Sequence, residues 1–204
     1  MRKAKEVRKT KETEIIIELN LDGEGKSSIK TGIGFMDHML ELLAFHSEID
    51  LTVDTKGDLE VDTHHTVEDI GLTFGKAFLR ALGDKKGINR YSYIYLPMDE
   101  ALTRIVLDIS GRPYTKYDVN LKFNKIGDME SQSFKEFFTS FANESKTTLH
   151  IENLYGENDH HIIESVFKGF GRALKEGIKI TSNKTQSTKG VLWWILLSIM
   201  DWGI

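Results

Sequence analysis

Two stretches of the chain carry the same five-residue pattern: His64-His65-Thr66-Val67-Glu68 and His160-His161-Ile162-Ile163-Glu164. In both, a glutamate follows the second of two adjacent histidines by three residues, and four of the seven histidines belong to this unit. Each copy opens a run of helical character. An α-helix turns about 100° per residue, so residues i and i+4 share a face while i and i+1 diverge. His64 with Glu68, and His160 with Glu164, can each grip one metal ion, while His65 and His161 point toward another. Imidazole nitrogens and a carboxylate at helical spacing are donors that suit a first-row divalent ion.

Two further histidines fall where such a pattern would use them. His38 opens a helical stretch in Asp37-His38-Met39-Leu40, and His150 lies in the strand-like Leu149-His150-Ile151-Glu152. A strand alternates its faces, so His150 points away from the side that Leu149 and Ile151 share. The eight candidates divide into two sets, His64, Glu68, His150 and His161 against His38, His65, His160 and Glu164. Three imidazoles and one carboxylate with room for water or substrate form an octahedral shell, which favours manganese or iron over a structural zinc site. His46 ends a helix, where a cation suits the dipole, and reads as structural. A second group suits a phosphate monoester: Arg90 before a strand, Arg112 in the turn Ser110-Gly111-Arg112-Pro113, and Ser187-Thr188-Lys189-Gly190. Lys168 and Lys175, beyond Glu164, read as solvated or near the same anion.

The elements that must position these residues follow from hydrophobic periodicity. Glu14 to Leu21 is a β-branched strand ending at Asp22-Gly23, with Ser27 to Lys30 as its expected hairpin partner. Phe35 to Phe45 has helical spacing, Leu51 to Asp54 is a short strand, and the first His-His helix closes at Gly83-Asp84. The order then recurs. Tyr91 to Leu96, Leu102 to Ile109 and Tyr114 to Leu121 read as strands, Ser133 to Phe141 as a Phe-rich helix, and Thr147 to Ile151 as the strand before the second His-His helix. Each half reads β-β-α-β-α, an α+β structure with helices packed on one side of its sheets. No linker separates the halves. The expectation is one domain, 1–204, of two pseudo-repeats (about 8–86 and 87–180) with an apolar tail, 191–204.

Composition narrows the function classes. With 40% hydrophobic residues the chain can bury a core, and a net charge of −4 without a basic stripe argues against a nucleic-acid surface. The absence of cysteine excludes disulfides and thiolate zinc sites and fits a reducing compartment. The charged N-terminus lacks the apolar region of a secretory signal, and the tail is shorter than the roughly 20 residues that span a membrane. A cytoplasmic protein without membrane or nucleic-acid partners is expected.

Taken together, Arg8-Lys9-Thr10-Lys11-Glu12-Thr13, Gly34-Phe35-Met36-Asp37-His38-Met39-Leu40, Asp62 to Asp69, Asp108 to Pro113, Gly156 to His161 with Glu164, and Ser187 to Gly190 resemble the imidazoleglycerol-phosphate dehydratase family. The resemblance runs in order from residue 8 to about 192, and the paired motifs are specific to it. It implies a fold of duplicated half-domains (ribosomal protein S5 domain 2-like), two Mn²⁺ ions per active site and a 24-subunit cage with sites between subunits. It also implies that Glu12, Arg90, Arg112, Ser187 and Lys189 contact substrate, the last four chiefly at its phosphate, with Thr188 in the same loop. The family commonly has a proline where Gln186 stands and ends soon after Gly190, whereas here an apolar run continues.

The reaction so implied is dehydration of imidazoleglycerol phosphate to imidazoleacetol phosphate in histidine biosynthesis. Its difficulty is a C–H bond with no adjacent carbonyl. Two metals holding the ring as imidazolate let it expel the neighbouring hydroxyl through a diazafulvene-like intermediate, which acidifies that C–H. Glu68 and Glu164 serve as ligands, which leaves Glu12 as the candidate base. A dinuclear phosphate-ester hydrolase and a metal-storage assembly are the alternatives. The first would be richer in Asp, and the second gives Arg90, Arg112 and Lys189 no common purpose.

Overall fold

Lys and Glu alternating with small or apolar residues make Lys3–Lys9 a strand (β1) whose sides are exposed and half-buried in turn, as suits a sheet edge. It pairs antiparallel with β2 (Thr13–Asn20), where Ile15, Ile17 and Leu19 point inward. The computed structural model, which describes residues 1–190 and Leu192, continues with β3 (Ser27–Lys30), α1 (Gly34–Ser47), β4 (Asp50–Gly57) and α2 (His64–Leu82). The second half contains β5 (Tyr91–Met98), β6 (Ala101–Asp108), β7 (Tyr114–Asp118), a small ribbon of β8 (Lys125–Ile126) and β9 (Met129–Glu130), α3 (Ser131–Ser145), β10 (Thr148–Tyr155) and α4 (Asp159–Ile178). The tail 191–204, apart from Leu192, lies outside the described residues.

The halves share one topology. Their sheets run β1-β2-β4-β3 and β5-β6-β10-β7, antiparallel except for the last pair of each. Each half therefore has one strand more than β-β-α-β-α: in the first the charge of β1 hid its alternation, and in the second Tyr114 to Leu121 was read as a strand but left out of that pattern. Ser27–Lys30 is also not the hairpin partner of β2. It crosses over and pairs parallel with β4, Ile29 opposite Val53.

Helices of one half pack against helices of the other, α1 on α4 and α2 on α3, in a layer between the two sheets. Glycine sets how closely they approach. A Cβ on Gly75 of α2 would lie 2.6 Å from the Phe141 carbonyl oxygen of α3, and one on Gly171 of α4 would lie 2.8 Å from that of Leu43 of α1. Around these crossings sit Phe74, Phe78, Phe134, Phe137, Phe138, Phe141, Phe167 and Phe170, all fully buried, with centroids as close as 5.0 Å. α1 and α3 also end alike, on non-glycine residues in the left-handed region, Glu48 (φ 58°) and Lys146 (φ 56°).

The turn between the halves carries an unusual lysine. Lys85 is 1% exposed with φ +59°, and its Nζ has no hydrogen-bond partner among the described residues. Burial pushes its ammonium down from 10.5 to about 8; the charge of Asp108 opposes this and that of Arg90 adds to it. In the unfolded chain Lys85 keeps its proton to higher pH than in the fold. The cost to folding is therefore complete below about pH 8 and fades as pH rises toward 10.5. Lys85→Met is expected to raise the melting temperature at pH 7, by an amount corresponding to ~1–3 kcal/mol. It should also flatten the rise in stability above pH 8, as read by scanning calorimetry across pH 7–9.5.

Candidate metal centre and phosphate cleft

Both His-His motifs form the first turn of their helices rather than preceding them. In α4, Asn158 caps the start by accepting from the His160 amide (2.9 Å), and buried Asp159 accepts from the amides of Lys122 and Phe123. In α2, the Asp62 carboxylate accepts from the His64 amide (2.8 Å), while Thr63 bonds to Glu130 and Ser133 at the start of α3. The start of α1 is held by Asp128, whose oxygens accept from the amides of Gly34 (2.6 Å) and Phe35 (2.9 Å). His38 follows one turn later.

These caps bring His38 of α1 together with His160 and Glu164 of α4, one donor atom from each lying within 4.8 Å of the others. Neighbouring ligands on an octahedron with bonds near 2.1 Å are about 3 Å apart, so a small contraction would seat a first-row ion here. The edge His160 Nε2–Glu164 Oε2 is 3.5 Å, and the matching edge in the first motif, His64 Nε2–Glu68 Oε2, is 3.4 Å. The donor set fits the ion that the sequence implies. Burial opposes ionisation of Glu164, but Lys168, His160 and His38 outweigh it and hold the carboxyl below its usual range. Lys168 is thus no solvated lysine; its Nζ is 2.6 Å from Glu164. Lys175 pairs instead with Glu48 at 2.5 Å.

The diverging histidines each meet a carboxylate. His65 Nδ1 is 3.0 Å from Asp58, which raises its pKa, with the charges of Glu12, Asp58 and Asp62 adding to the effect. His161 Nδ1 is 2.7 Å from Glu100. That contact raises the histidine and, with the Asn158 and Glu157 amides, depresses Glu100 to about 2. Glu12 therefore lies near enough for its charge to act on His65. It rides on a turn fixed by Thr10 and Thr13, and Thr13 and Arg8 both donate to buried Asp69 of α2.

His150 is not brought to either motif within this chain. Leu149 and Ile151 face the core, and His150 lies on the opposite, exposed face of its sheet, beside Tyr114 and in a shallow recess with Arg104, Lys116 and Glu152. The internal symmetry relates α1 of the first half to α3 of the second. The contacts of Gly171 with Leu43, His46 and Ser47 repeat at Gly75 with Phe141, Glu144 and Ser145, each helix residue 98 positions on. Ala44 and Ser47 match Ala142 and Ser145 in the same way. At that offset the counterpart of His38 is half-buried Glu136 on α3, but among the described residues only His38, His160 and Glu164 gather as three donors. His46 packs against α4 near Lys168 and Arg172, and burial lowers its pKa.

The anion candidates do converge. Arg90, Arg112, Ser187, Thr188 and Lys189 line one cleft of about 630 Å³ with Tyr91, Ser182, Lys184, Thr185 and Gln186. Arg90 is 8% exposed and largely engaged: Nε and Nη2 bind the two oxygens of Asp108 (2.7 and 3.1 Å), and Nη1 donates to the Gln186 carbonyl (2.6 Å). It braces the loop, whereas Arg112, 63% exposed and 3.8 Å from Asp108, is turned outward.

A family model described as imidazoleglycerol-phosphate dehydratase matches residues 31–174, most of the chain and both motifs. The chain belongs to the imidazoleglycerol-phosphate dehydratase family. A relative of that name from Clostridioides difficile is 60% identical over 94% of this chain and 100% of its own length. One from Caldanaerobacter subterraneus is 57% identical at the same coverage. Among solved structures, the Staphylococcus aureus dehydratase superposes with TM-score 0.80 at 38% identity, covering 88% of this chain and 99% of its own. The Pyrococcus furiosus protein gives 0.80 at 40%, covering 92% and 100%. Members of this family are hydro-lyases of histidine biosynthesis. No helix among the described residues is long and apolar enough to cross a membrane.

Because Arg112 faces the cleft and touches neither motif, Arg112→Ala is expected to weaken binding of a phosphate-bearing substrate by about 1.5–3 kcal/mol. Bound metal, measured by elemental analysis, should not change. Loss of metal would instead make Arg112 a structural residue.

Proposed function

We propose that this chain dehydrates imidazoleglycerol phosphate to imidazoleacetol phosphate in the cytoplasm, using two Mn²⁺ ions per site in a 24-subunit particle. The observation that carries this is the convergence of His38, His160 and Glu164, with the same His–Glu edge repeated at His64 and Glu68, beside a separate phosphate cleft. His150, which stands apart from both motifs in its own chain, would join His64, Glu68 and His161 from another subunit. His65 and His161 complete the shells.

The cleft and the second motif lie at opposite ends of α4. The Arg90 amide bonds to the Gly177 carbonyl (2.9 Å), 17 residues beyond His160, about 26 Å along the helix axis. A substrate the size of a sugar phosphate cannot touch both in one chain. The site we propose therefore combines the motifs of one subunit with the cleft of another, which is the reason for the assembly.

Bound metals would supply Lewis acidity to the two ring nitrogens, so that the imidazolate can expel its neighbouring hydroxyl through a diazafulvene-like species. The chain's own residues do the rest. Arg112, Ser187, Thr188 and Lys189 anchor the phosphate and fix the distance to the reacting carbons, while Arg90 keeps their loop in place. Glu12, on its braced turn, takes the C–H proton. Glu68 and Glu164, committed as ligands, are not free to do so.

Chelation is expected to abolish formation of the dehydrated ketone from imidazoleglycerol phosphate, and added Mn²⁺ to restore it. Full turnover in rigorously metal-free protein would defeat the metal reading, and release of free phosphate in place of the ketone would make the site a hydrolase.

A further inference from the structure

We infer that Glu100 and Asp58 are positioning residues that set the tautomer of His161 and His65, keeping the proton on Nδ1 and turning a bare Nε2 outward. A carboxylate can only accept, so the contacts His161 Nδ1–Glu100 Oε2 (2.7 Å) and His65 Nδ1–Asp58 Oδ2 (3.0 Å) place a hydrogen on Nδ1 of each neutral ring. A histidine side chain free in water prefers the other arrangement, with its proton on Nε2. His64 and His160 already direct Nε2 toward the glutamates one turn on. All four motif histidines then present the same nitrogen, Nε2. The role in metal binding rests on the proposal above, but the tautomer itself does not.

The two carboxylates are held differently. Oε1 of Glu100 accepts from the amides of Glu157 (3.1 Å) and Asn158 (2.8 Å), in the turn that launches α4. One side chain thus locks the backbone before the motif and the ring within it. Asp58 lacks this second hold: its Oδ1 is buried without a hydrogen-bond partner among the described residues. Asp99 adds little, since its carboxylate is 3.9 Å from His161 Nε2, beyond hydrogen-bond reach.

This difference predicts an unusual order of severity. In Glu100→Gln the two backbone amides retain the side-chain oxygen, so the NH₂ group must face His161 Nδ1. It can only donate there, which drives the ring proton to Nε2 and blocks the ligand nitrogen. Glu100→Ala leaves the ring free to choose. In Asp58→Asn the amide can turn its oxygen to His65, because nothing holds the other end. Second-sphere partners of metal-bound histidines typically change affinity about 10–100-fold. Glu100→Gln is therefore expected to weaken Mn²⁺ binding by that factor and by more than either Glu100→Ala or Asp58→Asn. A merely structural role would make alanine the worst.

The test is magic-angle-spinning ¹⁵N NMR of histidine-labelled intact particles at pH 8.5, with His161→Ala to assign the signal, beside calorimetric titration with MnCl₂. The inference expects an Nδ1–H tautomer for His161 in the metal-free parent and an inverted one in Glu100→Gln. An Nε2–H tautomer in the parent overturns it, as does a Glu100→Gln variant that binds Mn²⁺ more tightly than Glu100→Ala. If the tautomers behave as expected but the parent takes up no Mn²⁺, the positioning stands and the metal reading fails.

Discussion

One helix cannot turn two adjacent side chains onto the same ion. Divergence of about 100° between neighbours sends His64 and His65, and His160 and His161, in different directions. A motif of this kind is useful only if something else approaches from each side, and much of the architecture can be read as a way of arranging that. The α1/α4 and α2/α3 crossings join helices from different halves, and they can close only because Gly171 and Gly75 carry no side chain. His38 reaches His160 and Glu164 across one of these crossings. The phenylalanine cluster around the crossings fixes their geometry, since a well-packed aromatic interior yields little.

The candidate donors were legible in the sequence because the residues a metal ion would take are few in kind. A pair of histidines with a glutamate at helical spacing, present twice, has few other uses, and the anion residues were legible as Arg and Ser-Thr-Lys placed in turns. What escaped did so for physical reasons. β1 is an edge strand whose Lys and Glu residues look like a solvated terminus. Ser27–Lys30 looked like a hairpin partner because sequence proximity favours antiparallel neighbours, yet the chain crosses over to pair with β4. His150 lies on the face that strand alternation predicts, away from Leu149 and Ile151 and apart from both motifs of its own chain.

The repeat is unequal in instructive ways. Thr103 meets Ser165 where Thr13 meets Asp69, and only the acidic version recruits Arg8 and thereby braces the turn that bears Glu12. The first half thus acquired a fixed carboxylate near its motif, while the second acquired the cleft-forming segment that Arg90 ties to Asp108. Duplication supplied two similar frames, and these departures from symmetry give each frame a different task.

The length of α4 has a genetic consequence. Since the motif and the cleft stand at opposite ends of one rigid helix, a lesion in either disables only half of what a subunit contributes. A chain lacking His160 still offers an intact cleft, and a chain lacking Arg112 still offers intact motifs. In the assembly proposed above, two inactive alleles placed in one particle would restore working sites wherever the sound end of one subunit meets the sound end of the other. Under that proposal, interallelic complementation follows from the spacing alone.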